Sequence, residues 1–225
     1  MTGAPRQLAL ALDHPESLTR EDFLSGPSNA PALALIECWP AWPNHSVILT
    51  GPEGAGKSHL AAIWAEAAGA RVVGARSLEL GMIPRTLATG AVVIEDLVPG
   101  AFDERALFHL LNLAREDDAF LLLTARVAPA DWKVGLRDLA SRLQALPIIR
   151  LAPPDDPLLR AVLVKLFADR QIAVDEHLIG YLATRIERSF AAARAIVAKL
   201  DAEAMGRKRP LTRALAAEVL RVAAP

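Results

Sequence analysis

Eight residues carry the clearest chemistry in the chain: Gly51-Pro52-Glu53-Gly54-Ala55-Gly56-Lys57-Ser58. Their types and spacing fit G-x-x-x-x-G-K-[ST], the pattern of a phosphate-binding loop. The glycines let backbone N–H groups wrap an anion, with Pro52 and Ala55 completing the turn between them. Lys57 would reach the outer phosphates of a nucleotide, and the Ser58 hydroxyl suits Mg²⁺. A helix predicted from His59 to Ala68 would add partial positive charge at its start. A nucleoside diphosphate or triphosphate with Mg²⁺ is the expected ligand.

A phosphate loop needs a partner for the metal and for a polarised water. Ala91-Val92-Val93-Ile94 reads as an apolar strand ending in Glu95 and Asp96. Glu95 is expected to orient Mg²⁺ through water, and Asp96 to position the attacking water. The shorter carboxylate in second place reaches that water less well, which predicts slow hydrolysis. Thr124, closing the strand Ala119–Thr124, would place a hydroxyl between loop and carboxylates. Arg142, in Asp138-Leu139-Ala140-Ser141-Arg142-Leu143, can project from a short helix toward a neighbouring subunit's nucleotide. An arginine so placed stabilises charge on a transferring phosphoryl group. Arg137 is its rival, and a helix-surface arginine paired with Asp138 or with a carboxyl elsewhere is the plain alternative.

The elements that must hold these groups alternate in kind. Ser46–Thr50, Arg71–Val73, Gly90–Glu95, Ala119–Thr124 and Pro147–Leu151 read as strands. Helices are expected at Ala30–Trp39, after the phosphate loop, at Asp103–Glu116 and at Arg137–Gln144. Continuous apolar strands separated by helices predict a parallel sheet covered on both faces. From Pro153 onward only helical patterns follow: Asp155–Asp169, Glu176–Arg185, Phe190–Met205 and Thr212–Val222. The expected division is a flexible arm over 1–20, a nucleotide-binding α/β domain over 21–152 and a helical lid over 153–225.

Composition narrows the class. The 225 residues are 52% hydrophobic, enough for a sizeable core. No apolar run approaches the ~20 residues of a membrane helix, so no membrane association is expected. The single Cys38 excludes an internal disulfide and a cysteine metal site, and a cytoplasmic location is expected. A net charge of −1 supplies no global field for nucleic acid. Arg207-Lys208-Arg209 reads as a solvated turn between helices rather than a DNA patch.

Taken in order, the phosphate loop, acidic strand, Thr124, Ser-Arg-Leu segment and helical lid resemble the AAA+ ATPases. Phe23-Leu24-Ser25-Gly26-Pro27-Ser28-Asn29 resembles the segment that frames the adenine in DnaA-related modules. Leu151-Ala152-Pro153-Pro154-Asp155-Asp156 resembles their sheet-to-lid junction. The resemblance covers residues 20–222. It implies Phe23, Asn29, the loop residues, His59 and Thr124 as contacts of bound ADP or ATP. In the lid, the family's sensor arginine falls on Ala191, so Arg188 is the expected substitute and Arg194 the second choice.

A lone module of this kind is similar to the Hda type, which acts on DnaA rather than as an initiator. Gln7-Leu8-Ala9-Leu10-Ala11-Leu12 resembles the clamp-binding peptide of that type, with Gln7, Leu8, Leu10 and Leu12 as the docking residues. The resemblance therefore implies DnaA and the polymerase sliding clamp (β subunit) as partners, with DNA met through the clamp. It implies weak ATPase activity at most and leaves self-assembly into a homo-oligomer open. The alternative is an autonomous DNA-stimulated AAA+ ATPase such as a helicase loader.

Overall fold

A computed structural model describes residues 18–42, 44–207 and 209–223. The chain divides into two compact units, one from Leu18 to Pro153 and one from Pro154 onward. Residues Gln7, Leu8, Leu10 and Leu12 lie outside the described residues.

In the first unit, α1 (Ala30–Glu37) precedes β1 (Ser46–Thr50), α2 (Lys57–Ala68) and β2 (Arg71–Gly74). Then follow α3 (Ile83–Leu87), β3 (Ala91–Leu97), α4 (Glu104–Glu116), β4 (Phe120–Ala125), α5 (Arg137–Ala145) and β5 (Ile148–Arg150). The strands form one parallel sheet in the order β2-β3-β4-β1-β5. This is the covered parallel sheet that the run of apolar strands predicted.

Alternation along the strands explains the two covered faces. Ile48, Val92, Ile94, Leu121 and Leu123 face a core completed by α4, α5 and the 75–87 segment. Val47, Leu49, Val93 and Leu122 face the opposite core, which α1 and α2 cover. There Trp42 and Trp64 stack with ring centroids 4.8 Å apart. An aromatic pair of this kind contributes about 0.5–1.5 kcal/mol beyond its buried area.

Two local expectations are corrected. Helix α1 stops at Glu37 and not at Trp39, because the ring of Pro40 disfavours helical geometry in the residue before it. Strand β3 does not end at Glu95: it runs through Asp96 to Leu97. The segment between β2 and β3 carries two short 3-10 turns and α3, none of which periodicity could signal in so few residues.

The second unit holds α6 (Asp156–Ala168), α7 (Glu176–Ala183), α8 (Phe190–Arg207) and α9 (Arg213–Ala223). Its core includes Leu159, Leu163, Phe167, Leu182, Val197 and Ala216. Side chains start these helices. Asp155 accepts from Leu158 N at 2.9 Å, Asp175 from Leu178 N at 2.6 Å and Ser189 from Ala192 N at 3.0 Å. Such caps satisfy first-turn donors and contribute about 1 kcal/mol each. Arg207 pairs with both Glu203 and Glu218, so its charge is neutralised within the unit. Among the described residues, no helix is long and apolar enough to cross a membrane.

Candidate functional site

The carboxyl edge of a parallel sheet is where ligands collect in open α/β folds, and there the phosphate loop follows β1. Gly51 N–H donates to Ala125 O at 3.2 Å, tying the loop to the end of β4. A Cβ on Gly51 would lie 2.6 Å from Leu151 O, so only glycine fits against β5's exit. Gly56 precedes α2 with φ 95°, a left-handed conformation that L side chains resist. No side chain caps the 12-residue α2. Its first-turn N–H groups therefore face the loop, where an anion would satisfy them.

Lys57 sits inside the loop at 7% exposure. Its Nζ donates to Gly51 O and to Pro52 O, each at 2.8 Å. An ammonium has three donors, so one remains for a ligand. Burial lowers the lysine pKa from its ordinary value; Asp96 opposes the shift, Arg126 adds to it and Glu53 opposes it. These four side chains thus share one electrostatic environment at the loop. Pro52 and Ser58 are exposed at the loop, Ala55 is buried and Gly54 is half-buried.

The acidic pair lies in an irregularity of the sheet. Ile94 pairs with Leu123 and Leu97 with Ala125, so Glu95 and Asp96 together face Thr124. This is a β-bulge, which re-aims side chains beside functional sites. Asp96 has φ 57°, a conformation costing on the order of 1 kcal/mol that Asp tolerates better than most residues. Its N–H donates to Thr124 Oγ1 at 3.0 Å. Thr124 is 1% exposed, and that hydroxyl holds the bulge in place. One Glu95 oxygen, Oε1, is buried without a hydrogen-bond partner. A buried carboxylate oxygen in that condition fits a hydrated cation, since it otherwise keeps an uncompensated desolvation cost. Among the described residues, no group of three or more His, Cys, Asp or Glu forms a metal site alone. Ser58 and Glu95 therefore suit Mg²⁺ that takes its other ligands from phosphate and water, as that ion commonly does.

The lead-in segment is fixed by protein contacts. Phe23 is buried and meets the His59 ring edge-on at 5.1 Å. The His59 Nε2 lies 2.8 Å from Thr19 O. Asn29 is 1% exposed, accepting from Gly26 N at 2.8 Å and donating to Leu24 O at 3.0 Å. Its amide groups clamp the turn, so Asn29 shapes the segment rather than offering those groups outward. Ala152 N–H donates to Ser28 O at 3.4 Å, which places the segment beside β5's exit. The Ser28 hydroxyl there is buried without a partner.

Arg142 does not join the loop cluster. Its guanidinium lies over the Phe108 ring of α4, 5.4 Å from the centroid. One turn earlier on α4, Glu104 accepts from Gly135 N at 3.0 Å and from Leu136 N at 2.9 Å, the backbone that starts α5. Phe108 and Glu104 together hold the helix carrying Arg142. No ion pair joins Arg142 to Asp138 among the described residues. Arg188 belongs to the second unit, where it is exposed and 3.8 Å from Asp156. Arg194 is half-buried in α8 of the same unit.

Arg126, Phe108, Glu104 and Ser28 escaped the sequence reading. Arg126 carried a usable signal, because it follows the strand that ends beside the phosphate loop. The other three depend on contacts between distant segments.

No family model matches the chain. Solved structures do share its architecture. Domain III of the Thermotoga maritima replication initiation protein DnaA superposes with a TM-score of 0.75 at 17% identity, over 91% of this chain and 96% of that one. AMPPCP-bound DnaA from Aquifex aeolicus gives 0.66 at 18% identity, over 84% and 67%. The Holliday junction branch migration motor RuvB of Thermotoga maritima gives 0.72 at 18% identity, over 92% and 72%. At these identities the likeness speaks to fold. The chain has the AAA+ P-loop NTPase fold that the DnaA and RuvB modules share.

Proposed function

We propose that the protein is a nucleotide-bound DnaA-like regulator of replication initiation. In this reading it holds ADP or ATP with Mg²⁺ at residues 51–58 and promotes hydrolysis of ATP held by DnaA. The observation that carries the nucleotide reading is Lys57, buried in the loop with two donors on loop carbonyls and a third left over. Ser58 and Glu95 hold Mg²⁺, which supplies charge neutralisation at the phosphates. The α2 N-terminus and loop amides bind phosphate oxygens, while Phe23 and its clamped segment shape the base end. Asp96, set by the bulge and Thr124, holds water near the outer phosphate.

Arg142 acts on another molecule in this reading. Its guanidinium rests on an aromatic ring, and among the described residues no ion pair engages it, so its charge is available to a partner's phosphates. Gln7, Leu8, Leu10 and Leu12 tether the protein to the polymerase sliding clamp, which brings it to DNA indirectly. A short apolar peptide anchored by one glutamine suits groove recognition of that kind.

The test combines ATP-loaded DnaA, DNA-loaded clamp and this protein, and follows hydrolysis of the DnaA-bound ATP. The intact chain should accelerate it. Arg142→Ala should abolish the acceleration while ADP binding persists, and a chain lacking residues 1–12 should lose retention on the clamp. Equal acceleration by Arg142→Ala would return that residue to a surface role. Strong DNA-stimulated hydrolysis by the protein alone would instead favour an autonomous loader-type ATPase.

A further inference from the structure

Arg126 follows β4 directly, one residue beyond the Ala125 carbonyl that accepts the Gly51 N–H. It therefore stands at the lip of the phosphate loop. Its Nη2 lies 2.7 Å from Oε2 of Glu53, the third residue of that loop. Both partners are open to water, at 60% and 72% side-chain exposure. An exposed pair of this kind is weak and easily exchanged. A carboxylate on an anion cradle is unfavourable unless a cation neutralises it, and Arg126 is the cation supplied.

Strand order gives the pair a direction. β1 leads into the loop, with β5 on one side and β4 then β3 on the other. The lead-in segment lies on the β5 side, through the Ser28–Ala152 contact. Arg126, Thr124, Glu95 and Asp96 lie on the other side, at the ends of β4 and β3. A nucleotide with its base at the lead-in segment would extend its phosphates toward this second group. The terminal phosphate is then the group that meets Arg126.

We propose that Arg126 is a nucleotide-discriminating residue, exchanging its resting partner Glu53 for the γ-phosphate of a triphosphate bound in the same subunit. The proposal rests on the nucleotide reading above. A diphosphate leaves the Arg126–Glu53 pair in place, whereas a triphosphate competes for the guanidinium with more charge and more acceptor oxygens. A planar guanidinium suits such bidentate recognition. The influence of Arg126 on Lys57 agrees with two cations converging on one loop.

Calorimetry with ADP and with the non-hydrolysable triphosphate AMPPCP, each with Mg²⁺, tests the proposal on the full chain. Arg126→Ala should weaken AMPPCP about tenfold and leave ADP within about twofold, the loss of one charge-assisted contact tempered by exposure. Glu53→Ala should tighten AMPPCP several-fold, since the guanidinium no longer has a competing carboxylate. The double variant should keep the Arg126→Ala weakness. If Arg126 only neutralises Glu53, the single changes move both nucleotides together and the double variant returns to wild type; that result overturns the proposal. Wild-type protein binding neither nucleotide would remove the nucleotide reading itself, a distinct failure visible before any variant is compared.

Discussion

Replacing Lys57 with methionine separates what the loop does for the fold from what it does for a ligand. Methionine keeps an unbranched chain of similar length in a site only 7% exposed. The change removes two hydrogen bonds to Gly51 O and Pro52 O, each with a net value of about 1 kcal/mol. It also removes a buried charge whose desolvation opposes folding, as the lowered pKa shows. The two effects offset, and the ligand-free stability should move by only about 1 kcal/mol. Nucleotide binding has no such offset. The third ammonium donor would make a charge-assisted bond worth about 1.5–3 kcal/mol, so the dissociation constant for ADP should rise roughly 10- to 150-fold.

Calorimetry measures that rise directly, and thermal unfolding provides a second readout. At ligand concentrations of about 100 Kd, binding stabilises the wild type by about 2.7 kcal/mol, or on the order of 5–10 °C; Lys57→Met should lose most of this shift. The pH dependence has a definite sign. In the proposed site the charged form of the lysine is the one that would hold phosphate, and its pKa is lowered by burial. Affinity should therefore fall as pH rises, beginning below the range of an ordinary lysine. Lys57→Arg, whose guanidinium stays charged, should remove that dependence even if it binds less tightly. Lys57→Met binding ADP like the wild type, or Lys57→Arg losing affinity over the same alkaline range, would refute this account.

Two further changes probe other parts of the site. Phe108→Ala removes the ring under the Arg142 guanidinium and should reduce the proposed acceleration of DnaA-bound ATP hydrolysis with ADP affinity unchanged; acceleration equal to that of the wild type would show that the ring does not position Arg142. Thr124→Val keeps the side chain's volume but takes the acceptor from Asp96 N–H. It should destabilise the protein by about 1–3 kcal/mol in urea unfolding, and an unchanged midpoint would mean that the bulge is held by its neighbours alone.

What local sequence determines is clear at the loop. Gly56 needs a backbone conformation that its own missing Cβ permits, and Lys57 follows it by covalent connection. The five strands were legible because each is a short apolar run between turn or helix residues, a property contained within a few neighbouring positions. The helix starts expected at Asp155 and Glu176 were legible for a similar reason, since each is set by an aspartate that bonds to an N–H only three residues away. Residues 75–88 were opaque because 3-10 turns and a five-residue helix are too short to leave a period.

Tertiary structure decided how the charged and aromatic groups are shared. Nothing local pairs Arg126 with Glu53 or lays Arg142 over Phe108; adjacent parallel strands and packed helices bring those side chains together. The bulge at Glu95 and Asp96 exists only relative to β4, because a register shift is a property of two strands. Asn29 shows the same limit from the other side: the resemblance implied a nucleotide contact, whereas its burial and its bonds to Gly26 N and Leu24 O within the lead-in segment are visible only in the folded chain. Backbone conformation and apolar periodicity are encoded over short spans, whereas partner, burial and charge state depend on groups that only folding assembles.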